Sequence, residues 1–187
     1  TRVKITRLPI AEFMSRAFVK EDAPDGVVYI PPRAPLPAGA VNFVTPVGLA
    51  LLKSEMTELE AERELLKKGD KENADRNRAL TIARGKIKDL NERIVGAKLV
   101  LGSDQPKEEV RFGATVTIET KKGRQVGLKR TLSIVGVDEA DITTFKVGYI
   151  APIARSLTGL HLGETAMLMM GGVEETLEVV QISYDLD

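Results

Sequence analysis

The chain has no cysteine and no tryptophan among its 187 residues, and only one histidine. Without cysteine, neither disulfides nor thiolate zinc sites are available, a composition that suits a reducing cytoplasm. One histidine leaves a His-based metal cluster or a Ser/His/Asp triad little to draw on. Aromatic residues amount to 4%. Charge of one sign is also lacking: 27 Lys and Arg offset 27 Asp and Glu, so the net field does not single out nucleic acid as a partner. No apolar run approaches the roughly 18 residues of a membrane span. The opening Thr1-Arg2-Val3-Lys4-Ile5-Thr6-Arg7 lacks the apolar stretch of a secretory signal. What is present, 43% apolar and 29% charged residues, is the balance of a globular protein with one medium domain or two small ones.

Three regions follow one another. Residues 1–44 show no sustained periodicity, and Pro24, Pro31, Pro32, Pro35 and Pro37 each fix φ and disfavour helix before them. This stretch reads as an extended arm or linker, with short apolar patches at 17–19 and 27–30 that can dock elsewhere. Met14 is read as the original start, with residues 1–13 an upstream addition. In residues 45–102 the pattern changes. Thr45-Pro46 is a helix start, and Leu49, Leu52, Met56, Leu59, Arg63 and Leu66 step by threes and fours, a heptad seam broken once by arginine. Arg63 there either snorkels outward or locks the register. Gly69-Asp70 interrupts the run. A second seam, Leu80, Ala83, Ile87, Leu90, Ile94, Ala97 and Leu101, follows. Two such seams joined by a short turn predict an antiparallel helical hairpin extending roughly 35 Å.

Residues 103–109 read as a linker, and 110–187 switch to period two. Ala114, Val116 and Ile118 alternate with threonines, with a turn at 121–124. Leu132 and Ile134 mark a second strand and 146–150 a third. Pro152 opens a short helix, and 166–170 and 177–184 flank Gly171-Gly172 as a closing hairpin. The expected fold class is α+β: an antiparallel α-helical coiled-coil hairpin followed by a small antiparallel-sheet domain with one short helix.

Several blocks within this frame carry a resemblance. They are Phe112-Gly113-Ala114-Thr115-Val116, the run from Ile134-Val135-Gly136 through Asp138, Glu139 and Asp141, and Pro152-Ile153-Ala154-Arg155-Ser156-Leu157. Leu162-Gly163-Glu164 and the Gly-Gly before a strand ending at Tyr184 continue the series. In order and spacing they resemble the FKBP-like C-terminal domain of the GreA/GreB transcription elongation factors. Thr45-Pro46-Val47-Gly48 is similar to the start of that family's hairpin, and Gly69-Asp70-Lys71-Glu72-Asn73-Ala74-Asp75 to its tip. The resemblance spans 45–187 and leaves 1–44 without a counterpart.

The resemblance implies an accessory factor rather than an enzyme. Its C-terminal domain would grip RNA polymerase at the secondary channel, and its hairpin would reach toward the active centre. The tip carboxylates, here Asp70 and Glu72, would help hold the polymerase's second Mg²⁺ so that the polymerase cleaves its own backtracked RNA. Carboxylates are hard oxygen ligands suited to that ion. No metal or other cofactor is expected to bind stably to the isolated protein. Asp138, Glu139, Asp141 and Pro152 fall in the segment implied to contact polymerase. Arg76, Arg78 and Arg84, with Lys86 and Lys88, either guide extruded RNA through phosphate contacts or pair across the hairpin with Glu55, Glu58, Glu60, Glu62 and Glu64. Two features depart from the family pattern. Only Lys71 separates Asp70 from Glu72, where the family has two residues, and the rising helix is shorter by on the order of 10 Å.

Other readings stay open. Asp70, Glu72 and Asp75 can serve simply as helix-start groups. A polymerase-binding regulator of the same fold without cleavage activity, or an interaction module for another enzyme, uses the same architecture. Peptidyl-prolyl isomerase activity would need an aromatic-lined pocket, for which the C-terminal region offers only Phe112, Phe145, Tyr149 and Tyr184. His161 is expected at the surface, and Met167, Met169 and Met170 on sheet faces.

Overall fold

A computed structural model describes residues 28–30 and 33–184. The assignments of Met14 as a start, of 1–13 as an addition and of 17–19 as a docking patch lie outside the described residues.

A short strand, β1 (Asn42–Val44), leads into helix α1 (Pro46–Lys68). Thr45 has extended backbone and accepts the Gly48 N–H at 2.9 Å, and Pro46 sits where its missing donor costs nothing. Helix α2 (Ala74–Val95) begins at Asn73, whose side chain accepts the Arg76 N–H, with Asp75 in the first turn facing the positive end of the helix dipole. Leu52 and Leu59 of α1 and Leu80, Ala83 and Leu90 of α2 are buried along the seam. Leu49, Met56, Ile87 and Ile94 pack against its base. Arg63 snorkels: it is half-buried and turns its guanidinium to Glu64 at 3.1 Å.

The second seam ends earlier than its periodicity suggests. Gly96 caps α2, and the chain then forms β2 (Ala97–Leu99), which pairs in parallel with β1. Leu101 therefore lies beyond the helix and is exposed. A three-residue strand is too short to declare itself by period, and what creates it is a partner that lies more than fifty residues earlier in the chain.

The C-terminal sheet has the order β5-β4-β3-β7-β6. Its strands are β3 (Thr115–Lys122), β4 (Lys129–Val135), β5 (Lys146–Gly148), β6 (Thr165–Met170) and β7 (Val173–Ser183), with the short helix α3 (Pro152–Leu157) between β5 and β6. Val116 and Ile118 point into the core with Leu132 and Ile134. Thr115 and Thr117 occupy the other face and hydrogen-bond Ser133 and Thr131 across the strand pair, both at 2.9 Å. Ala154 and Leu157 of α3 close that core together with Leu177 and Val179 of β7. Gly171 and Gly172 both take positive φ, as a tight two-residue hairpin requires. Two expectations change. The sheet is mixed, because β4 and β5 run parallel after the chain loops back through residues 136–145. The first turn also comes later, at 123–128, because pairing with β7 carries β3 through Lys122.

Candidate functional site

The hairpin tip is the loop between Lys68 and Ala74. Asp70 and Glu72 are both exposed there. One carboxylate oxygen of Asp70 accepts the Glu72 N–H at 3.0 Å, which steadies the loop and leaves the second oxygen free. Asn73, rather than either acid, caps α2. Among the described residues no group of three or more acidic, histidine or cysteine side chains could hold a metal ion. The two tip carboxylates are hard oxygen donors of the kind that suits Mg²⁺.

The expected basic group divides. Arg76 turns back onto the hairpin, donating to the Leu66 carbonyl at 2.6 Å and the Lys67 carbonyl at 2.9 Å. It helps satisfy carbonyls in the last turn of α1, so its guanidinium is engaged within the hairpin. Arg78 and Arg84 are exposed and make no ion pair among the described residues. The alternative of charge pairing across the hairpin is corrected by the ion pairs that form. Glu55 pairs with Arg33, Glu64 pairs with Arg63 and Lys67, and among the described residues no ion pair links the acidic face of α1 to Arg76–Lys88. The opposing faces bury apolar seam residues and turn these long charged side chains outward to water.

The set Asp138, Glu139, Asp141 and Pro152 is also split by the fold. Asp138 and Glu139 turn inward, to the junction between hairpin and sheet domain. The Glu139 side chain is 1% exposed and accepts the Thr45 hydroxyl on one oxygen and the Lys146 ammonium, at 2.9 Å, on the other. Asp138 lies between two guanidinium groups: Arg33 at 3.2 Å, and Arg93 Nε also at 3.2 Å, an ion pair without the alignment of a hydrogen bond. Arg33 in turn grips Glu55 with two bonds, of 2.7 and 3.0 Å, and that contact foremost holds its pKa above the ordinary value. These carboxylates therefore join the two halves of the molecule and do not face outward. Asp141 and Pro152 do face solvent. Asp141 caps the turn Ile142–Thr144, and hydrogen bonds from Thr143 hold its pKa below the ordinary aspartate value. Ile142 and Phe145 beside it are 80% and 59% exposed, making an acidic corner with an apolar rim.

Sequence reasoning missed Arg33, Arg93 and the partner role of Thr45. Thr45 was legible as a helix cap, but nothing in a proline-rich arm or on a helix face marks an arginine as a bridge. The aromatic positions do not assemble as an isomerase pocket. Phe112 and Tyr149 instead stack with Phe43 of β1, at centroid separations of 5.5 to 5.8 Å. Phe145 is exposed, and Tyr184 donates to the Glu109 carbonyl. The aromatic trio floors a cleft of about 1000 Å³ between the domains, edged by Lys98, Arg111 and Arg155. His161 is exposed, its ring 3.4 Å from Glu164. Met167 and Met169 project from β6 into solvent, while Met170 is half-buried.

Comparison with known proteins covers about three quarters of the chain. Residues 105–184 match the family model described as transcription elongation factor, GreA/GreB, C-terminal. The transcription elongation factor GreA of Francisella philomiragia is 33% identical over 155 residues, covering 75% of this chain and 95% of that protein. GreA of Francisella tularensis subsp. novicida is 34% identical with the same coverage. Among solved structures, the GreA/GreB factor from Nitrosomonas europaea matches with a TM-score of 0.38 and 18% identity, over 78% of this chain and 99% of that one. GreA factor homolog 1 of Thermus thermophilus matches with a TM-score of 0.36 and 18% identity, over 76% and 99%. No helix among the described residues is long and apolar enough to cross a membrane.

Proposed function

Because the chain belongs to the GreA/GreB family of transcription elongation factors, accessory proteins rather than enzymes, we propose that it binds RNA polymerase at the secondary channel and promotes cleavage of backtracked RNA. The observation that carries this reading is the tip: two exposed carboxylates, Asp70 and Glu72, at the apex of a hairpin roughly 35 Å long. A slender rod that buries its apolar residues along one seam can enter a channel without exposing a core.

In this reading the C-terminal domain docks through the exposed corner of Asp141 and Pro152. The hairpin then presents Asp70 and Glu72 to the polymerase's active centre. Asp70 is steadied by the Glu72 N–H, so its free oxygen is held rather than swinging. The Mg²⁺ they would help retain supplies charge stabilisation to the attacking and leaving oxygens. Arg78 lies about one turn behind the start of α2 and Arg84 about 15 Å along it, and both would meet the phosphates of an extruded RNA 3′ end.

A second reading, a channel-occupying regulator without cleavage activity, is favoured by one specific feature. Asp70 spends an oxygen on the loop and stands a single residue from Glu72. The experiment that separates the two is RNA cleavage in a stalled, backtracked polymerase complex at matched occupancy, comparing the native chain with Asp70→Ala/Glu72→Ala. A Gre-type factor loses about tenfold or more in cleavage rate, the scale on which even supporting groups of a metal site are felt. Binding with no cleavage by either protein would establish the regulator instead.

A further inference from the structure

We propose that Arg33 is a positioning residue: the arm that carries it straps the hairpin to the C-terminal domain and sets the direction in which the tip points. The arm, residues 28–30 and 33–44, lies outside the segment that resembles the family, and neither the family's chemistry nor the tip assigns it a task.

The arm follows α2 toward the base of the hairpin. Ile30 sits over Gly85, so closely that a Cβ added there would meet its Cδ1 at 2.1 Å. Further along, the Ala34 carbonyl accepts from Arg93, and the Asn42 amide donates to the Arg93 carbonyl at 2.8 Å. Between these points Arg33 reaches sideways to both bodies at once. Its two terminal nitrogens hold Glu55 on α1, and Nη2 with Nε contacts Asp138 of the sheet domain at 3.2 and 3.4 Å. A planar fork with five donors can hold two carboxylates in fixed directions; a lysine ammonium cannot.

Where this contact lies along the hairpin decides its effect. The Thr45–Glu139 bond and the aromatic trio hold the first residues of the hairpin, which is where a rotation would pivot. Glu55 lies ten residues up α1 from Thr45, or about 15 Å along its axis. A tie at that height resists tilting with a lever that contacts at the pivot lack. A swing of about 10° at the base would carry the tip of a rod of about 35 Å through roughly 6 Å, more than a carboxylate can be misplaced and still share an ion. Removing Arg33 leaves Asp138 its second partner, Arg93, so the junction keeps a paired charge and the domains stay folded.

The test needs no polymerase, so its failure is distinguishable from failure of the proposed function. The chain contains no cysteine, so Lys71→Cys and Gln125→Cys place one spin label at the tip and one on the sheet domain. Pulsed dipolar spectroscopy then reads the separation in the full chain. The parent should give one narrow distribution. Arg33→Ala should broaden it or shift it by several Å, on the scale of the swing above. Ile30→Asp, which unseats the arm at an independent point, should do the same, and Arg33→Lys should restore little. Melting temperatures of the same variants establish that they are folded. Distributions for Arg33→Ala and Ile30→Asp that superimpose on the parent's would overturn the proposal. If the proposed function also holds, Arg33→Ala lowers the cleavage rate at saturating factor while leaving polymerase occupancy nearly unchanged.

Discussion

Gly48 stands in the first turn of α1 with Thr45 and Glu139 pressed against it. A Cβ there would meet Glu139 Oε2 at 2.8 Å and Thr45 Oγ1 at 3.3 Å. Helix propensity alone favours alanine at an interior helical position by about 1 kcal/mol. Here the methyl group would push on a carboxylate whose two oxygens are already engaged by Thr45 and Lys146. We expect Gly48→Ala to destabilise the protein by about 1–2 kcal/mol, the scale of overpacking a filled site, in urea unfolding. A gain in stability would mean that Glu139 is less tightly held than its contacts indicate. Glycine is legible in the sequence, but the reason for it is not, since the clashing group lies ninety-one residues away.

Within the hairpin, the end of α1 is closed by a residue of α2. Arg76 donates to the Lys67 carbonyl and to the Leu66 carbonyl, which it shares with the Gly69 N–H at 3.3 Å. The tip is therefore held by one guanidinium reaching across the turn. Arg76→Ala should cost about 1 kcal/mol, the net worth of such bonds, and speed amide exchange from Gly69 to Asn73 in the free protein. A residue that served only to contact RNA would leave that exchange unchanged, so the measurement decides between the two roles. The seam positions of both helices follow from their spacing, because an apolar stripe has one economical way to leave water. The cap at the tip does not, because the same arginine on the same helix face could equally have pointed at solvent.

The described residues form two apolar cores. One lies under the sheet around Ile118, Ile134 and Leu177; the other, smaller, lies at the base of the hairpin around Val44, Leu52 and Leu90. What joins them is largely polar: Glu139 with Thr45 and Lys146, and Asp138 with Arg33 and Arg93. Two cores coupled through such a junction unfold together only while the junction holds. Calorimetry of the native chain should therefore show one transition. Glu139→Ala, which removes the acceptor shared by helix cap and strand, should resolve it into two. A single transition in the variant would place the coupling in the aromatic trio of Phe43, Phe112 and Tyr149 instead.

By itself the sequence determined the features that depend on neighbours along the chain. These are the paired heptad seams, the cap at Thr45, the alternation of the sheet strands, the glycine turn and the family to which these blocks belong. Each is local because hydrogen bonding and side-chain direction repeat every two or 3.6 residues. Tertiary structure decided everything that needed two distant segments to meet. It made a parallel pair of β1 and β2, turned Asp138 and Glu139 inward while leaving Asp141 outward, and used Arg33 as a bridge. For the charged side chains, residues of the same charge and similar spacing were equally suited to solvent. Only the approach of opposite charges from another element, in a place that water no longer fills, separated the buried carboxylates from the exposed ones.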